Sequence, residues 1–77
     1  MPQTIHIGKE IKQRLHALER SVAWLAKKID CDRSNLSKNL KCPHIHPELL
    51  YRISVALRMD FFARYSQQLQ DDIQRQV

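Results

Sequence analysis

The twenty residues from Ser21 to Leu40, SVAWLAKKIDCDRSNLSKNL, decide the fold. Val22, Leu25, Ala26 and Ile29 recur at three- and four-residue steps, which places them on one face of a helix and leaves Lys27 and Lys28 in water. The pattern breaks at Asp30-Cys31-Asp32 and resumes with Leu36 and Leu40, again four apart. Two short helices around a tight turn are expected. Asp32 supplies the side-chain acceptor that the orphan N–H groups of the second helix need, and its charge suits the positive end of the helix dipole. With Leu36 and Leu40 turned inward, Arg33, Ser34, Ser37, Lys38 and Lys41 form the outward face, with Asn35 and Asn39 on its flanks. Every outward residue can donate a hydrogen bond.

The same periodicity extends in both directions. Upstream, Ile7, Ile11, Leu15 and Leu18 follow the helical step while Lys9, Lys12, Arg14 and His16 stay outside, predicting a first helix over about 8–19. Met1 to Ile7 reads as an extended lead-in with His6 exposed. Ser21, a good N-cap, opens the second helix over 21–29, and Asp32 opens the third over 32–40. Pro43 and Pro47 make Lys41 to His46 a loop, and Pro47 suits the first position of a fourth helix over 47–58. There Leu50, Ile53 and Leu57 share a face, with Leu49 and Ala56 adjoining. After a break at Met59-Asp60, the residues Phe61, Phe62, Tyr65, Leu69 and Ile73 predict a fifth helix over 61–70 and a polar, Gln-rich tail that frays. The expected class is all-α, one domain over residues 1–77.

Bulk properties bound the partners. A chain of 77 residues that is 43% hydrophobic lies near the lower size at which an apolar core sustains a fold, so a homodimer would add stability. Formal net charge is +5, which favours acidic partners such as nucleic acid. Residues 1–58 carry 11 Lys and Arg against 5 Asp and Glu, whereas residues 59–77 carry 2 against 3. The basic surface therefore belongs to the half that holds the two short helices. Two cysteines, no signal-peptide pattern and no apolar run near the roughly 20 residues of a membrane span predict a cytoplasmic protein with no membrane contact and reduced thiols.

Ser21, Leu25-Ala26-Lys27-Lys28-Ile29, the turn and Arg33-Ser34-Asn35-Leu36-Ser37 together resemble the phage-repressor-like (Cro/cI, or XRE) helix-turn-helix domains. The run from Ile7 to Tyr65, including ERSVAWLAKKIDCDRSNL and ELLYRISVALRMDFFARYS, is further similar to a small transcriptional-regulator subgroup common in Bacteroidetes. The resemblance implies a compact four- to five-helix, lambda-repressor-like domain that binds double-stranded DNA. It implies a small residue where the two short helices meet, here Ala26, and a buried one after the turn, here Cys31. Two positions depart from the pattern. Val22 stands where many members carry a Gln that touches a phosphate and braces the first base-reading side chain. Asp30 stands where the family often has a Gly with positive φ.

By the resemblance, the residues that enter the major groove are Arg33, Ser34 and Lys38, with Ser37 beside them. Arg is the side chain best fitted to guanine, because its fork donates to O6 and N7 together. Ser21, Lys27, Asn39 and Lys41, with the N–H groups at the start of helix four near His46, are the expected phosphate contacts. Trp24 lies off the inward face of its helix. Either the segment holding Phe61, Phe62 and Tyr65 covers it, or it joins Phe61, Phe62, Tyr65 and Leu69 at an interface.

Cys31, Cys42, His44 and His46 are zinc-binding residue types, but their spacing lacks two close ligand pairs, so no metal and no cofactor is expected. Neither a Gly-rich phosphate loop nor a recognisable catalytic set is present, and an enzyme is not expected. A rival reading makes the chain an antitoxin-like or accessory module whose C-terminal segment grips a protein partner.

Overall fold

The computed structural model describes residues 5–76; the lead-in expected over Met1–Thr4 lies outside them, as does Val77 of the tail. The described residues form five helices and no strand: α1 (Ile7–Ala17), α2 (Val22–Lys28), α3 (Arg33–Leu40), α4 (Pro47–Leu57) and α5 (Phe62–Arg75). The chain is all-α.

Local chemistry sets the helix starts. The Ser21 hydroxyl accepts from the Trp24 N–H at 3.1 Å and the Asp32 carboxylate from the Asn35 N–H at 3.2 Å, each satisfying an orphan donor of the first turn. His6, expected in solvent, is half-buried instead and caps α1, its Nδ1 accepting from the Lys9 N–H at 3.1 Å. That cap starts α1 at Ile7, one residue earlier than the periodicity implied.

Three of the four connections close the preceding helix in the same way. Glu19 (φ 57°), Asp30 (φ 56°) and Arg58 (φ 53°) adopt the left-handed backbone, so the positive φ expected at Asp30 is present. The next N–H in each case reaches the carbonyl five residues back: Arg20 to Leu15 at 2.9 Å, Cys31 to Ala26 at 2.8 Å and Met59 to Ser54 at 3.1 Å. This is the Schellman arrangement, which satisfies otherwise orphan carbonyls while reversing the chain. Cys31, expected to be buried, is half-buried against the core. The same turn ends α1 at Ala17 and swings Leu18, expected in the core, out to the surface.

The core is Ile7, Ile11 and Leu15 of α1, Leu25 and Ala26 of α2 with Ile29 after it, Leu36 and Leu40 of α3, and Leu50, Ile53 and Leu57 of α4. Ile5, Ile45 and Phe61 complete it from the connecting segments. Phe61 is 0% exposed, so its expected place at an interface is overturned; it plugs the end of the core before α5 begins. Phe62 and Leu69 are exposed, while Tyr65 is half-buried. Asp60 accepts from the Ala63 N–H at 3.1 Å and opens α5. That helix runs to Arg75 rather than fraying near 70, and Gln68 Nε2 donating to Asp72 Oδ1 at 3.1 Å bridges one of its later turns.

The sole glycine of the sequence, Gly8, sits where α1 crosses the end of α3. A Cβ there would overlap the Leu40 carbonyl oxygen and lie 2.6 Å from its carbon and 2.9 Å from Cys42 O. Beside it the Ile7 N–H donates to Pro43 O at 2.8 Å. Two backbones thus meet with no side chain between them.

Gly8→Ala should lower stability in urea denaturation by about 1–3 kcal/mol, the usual cost of overpacking, even though Ala is the better helix former by about 1 kcal/mol. An unchanged midpoint would contradict the close approach. Asp30→Val should cost about 1–2 kcal/mol, because a β-branched residue is strained in the left-handed region; a neutral result would mean that the α2–α3 turn adopts another backbone.

Candidate nucleic-acid interface

α3 buries only Leu36 and Leu40. A rotation of 100° per residue then puts Ser34, Lys38 and Lys41 roughly opposite the buried pair, and all three are exposed. Arg33 projects from the first turn and is exposed as well. The flanks differ from the expected arrangement: Asn35 is exposed and Ser37 half-buried. Ser37, between Leu36 and Leu40 in sequence, lies nearer their common direction and so leans toward the body of the domain, whereas Asn35 lies farther from it and joins the outer face.

The expected phosphate contacts are placed unevenly. Lys27 and Lys41 are exposed, and Lys28 stands beside Lys27 in the last turn of α2. The Ser21 oxygen is already an acceptor for Trp24 N–H, which leaves its own O–H to donate outward. Asn39 is half-buried, and its Nδ2 donates to Asn35 O at 2.9 Å, so part of its donor capacity is spent within α3. At the start of α4 the Glu48 N–H is taken by His46 Nδ1 at 3.2 Å, and the Glu48 carboxylate adds negative charge there. That helix end is poorly suited to an anion.

The electrostatics favour α3 and the end of α2. The ion pairs among the described residues are Arg52–Glu48 at 3.3 Å and Arg64–Glu10 at 2.7 Å. Lys27, Lys28, Arg33, Lys38 and Lys41 belong to neither, so their charge is not spent within the fold. Two carboxylates, Asp30 and Asp32, flank the turn; Asp32 is held as the cap.

One polar pair outside this face ties two elements together. His44 Nδ1 and the Tyr65 hydroxyl lie 2.9 Å apart, which ties α5 to the loop after α3. Partial burial, and secondarily the Glu10 carboxylate, push the Tyr65 phenol above its ordinary value of 10.0, so it remains protonated at neutral pH. Cys31 and Cys42 are free thiols. No group of three or more His, Cys, Asp or Glu among the described residues is arranged to hold a metal ion.

Trp24 is half-buried, and its cover differs from the expected one. Arg20 lies over its ring, 5.1 Å from the centroid. The groove that Trp24 lines, about 830 Å³ in volume, is walled by the end of α1 and by Tyr51, Val55 and Ala56 of α4, with no residue of α5. Tyr51 and Val55 are 65% and 63% exposed and did not stand out in the sequence. Their four-residue spacing, on the side of α4 away from Leu50, Ile53 and Leu57, is the signal that could have found them.

No family model matches the chain, and no curated protein or solved structure is significantly similar to it. No helix among the described residues is long and apolar enough to cross a membrane.

Removing the cap that holds the first turn of α3 should be measurable. Asp32→Ala should cost about 1 kcal/mol of stability and speed amide exchange at Asn35. Unaltered exchange there would show that α3 does not depend on this cap.

Proposed function

We propose that the chain binds double-stranded DNA sequence-specifically, as a bacterial transcriptional regulator of the lambda-repressor-like, helix-turn-helix kind. The observation that carries this reading is the outer face of α3. Arg33, Ser34 and Lys38 stand exposed on a short, capped helix set against α2 by a tight turn, with unspent positive charge beside them. A helix presented this way fits the major groove, where the first turn meets base edges and flanking cations meet phosphates.

In this reading Arg33 takes a guanine through its paired donors, while Ser34 and Lys38 meet adjacent edges. Ser21, Lys27 and Lys41 fix the register on the backbone. Asn35 joins the reading face in place of the half-buried Ser37. Val22, half-buried against the core, leaves Arg33 without the neighbouring amide that the resembling family uses as a brace. One module buries little surface, so affinity would come from two copies on half-sites about 34 Å apart. The site of action would be the nucleoid.

One observation favours a second reading, an antitoxin-like or accessory module that grips a protein. α5 is amphipathic and buries none of its residues. Co-purification of a stoichiometric partner, lost on truncation at Gln67 while DNA binding persists, would support it.

The test begins with selection from a random duplex pool and titration of the recovered sequence at several salt concentrations. Binding at least roughly a thousandfold above random DNA is expected. Arg33→Ala should then relax preference at one position by about 1–3 kcal/mol, whereas Lys41→Ala should weaken all sequences alike and reduce the salt slope by about one. Equal losses on every sequence for Arg33→Ala would remove its base-reading role.

A further inference from the structure

Two surfaces remain without an occupant, and they are complementary. The first is the groove lined by Leu18, Trp24, Tyr51 and Val55, whose rim carries Arg20, Lys28, Arg52 and Arg58 and no carboxylate. Glu48 pairs with Arg52 from outside the lining, which leaves the rim strongly positive. The second is the far end of α5. Leu69 and Ile73, four residues apart, are 59% and 52% exposed and share a face with Phe62. Asp72 borders that ridge and Asp71 follows the outer side, against a single cation, Arg75.

α5 cannot fill the groove of its own chain. It is fastened to the N-terminal half of α1 by Arg64–Glu10 at 2.7 Å and to the loop after α3 by Tyr65–His44 at 2.9 Å, and Gln68 lines a hollow with His6, Lys9 and Gln13. The groove opens at the other end of α1, beside Leu18 and Arg20. The principal extents of 45 × 22 × 21 Å fit a helix projecting from a small globule. We propose that the occupant is a second copy of the chain: the Leu69–Ile73 ridge of one α5 lies in the aromatic, cationic groove of the partner, and the partner's α5 returns the contact.

Charge selects this pairing over the alternatives. Groove against groove would set Arg20, Lys28 and Arg58 against their copies, with Arg52 held by Glu48. α5 against α5 would bring the Asp71–Asp72 ends together. Ridge in groove pairs apolar surface with Trp24, Tyr51 and Val55 while placing Asp72 among arginines. Arg20, resting on the Trp24 face, is positioned to turn toward that carboxylate. A single helix laid in a groove buries modest area, and a reciprocal pair doubles it toward the roughly 1,200–2,000 Å² of a stable interface.

Sedimentation or light scattering of the full chain without DNA tests the proposal separately from DNA recognition. The native chain should show a mass twice the 9.1 kDa of one copy. Val55→Glu, which spoils only the groove, and Leu69→Lys with Ile73→Lys, which spoils only the ridge, should each give the single-copy mass. All three positions are exposed, and an unchanged helical spectrum and melting transition would show that each variant folds. An equimolar mixture of the two variants should regain the double mass, because one sound groove then meets one sound ridge and the altered pair is matched in charge. A native chain of single mass, an assembly that keeps growing with concentration, a dimer that survives either variant, or a mixture that stays monomeric would overturn the proposal.

Discussion

The contact between Gly8 and the end of α3 sets the geometry on which the rest depends. Because no side chain separates them, the α1 backbone rests directly on the Leu40 and Cys42 carbonyls, and the Ile7 N–H is drawn to Pro43 O. The loop after α3 is fixed by that seat. It buries Ile45 and holds His44 against Tyr65, which in turn positions α5. The opposite end of α3, carrying Arg33 and Ser34, is held by the Asp32 cap and by the turn at Asp30. A helix of eight residues with two buried side chains has little stability alone. Here it is anchored at both ends, so its outer face is organised before any partner arrives.

Much of this was legible in the sequence because the signals were local. The steps between Leu25 and Ile29 and between Leu36 and Leu40, the caps Ser21 and Asp32, and Pro47 at the head of α4 each act within one turn of helix. Asp30 was legible through the family resemblance. Glu19 and Arg58 were not: they adopt the same left-handed backbone, but neither is the Gly that usually announces it. Consequently the end of α1 was placed too late, and Leu18 was assigned to a core it does not reach. Gly8 was visible as a residue but not as a contact, since its role comes from Leu40 and Cys42, over thirty residues away.

The candidate site divides in the same way. Leu36 and Leu40 set the outer face of α3, so Ser34 and Lys38 could be named from periodicity, whereas Arg33, three residues before Leu36, came from the resemblance and owes its exposure to its place in the first turn. The exchange of Asn35 and Ser37 follows from helical position, since Ser37 lies nearer than Asn35 to the common direction of Leu36 and Leu40. Phe61 carried the look of an interface residue because it sits beside Phe62 at a helix start; its depth is set by where the chain turns after Arg58. Tyr51 and Val55 were overlooked because α4 already had a sufficient inward face. Their second, exposed stripe becomes meaningful beside Trp24 and Arg20, which arrive from elsewhere in the chain.

Function on this account follows from an economy of burial: α3 commits two side chains to the core and presents Arg33, Ser34, Asn35 and Lys38, while the cations near it are left outside the internal ion pairs. The most direct measurement is an NMR titration of the isotopically labelled chain with a selected duplex, following each backbone amide. The account predicts perturbations concentrated at Arg33 to Lys38, at Lys27 and at Lys41, with the groove around Tyr51 and Val55 unmoved by DNA. Perturbations confined to that groove or to α5, or none at all, would contradict it.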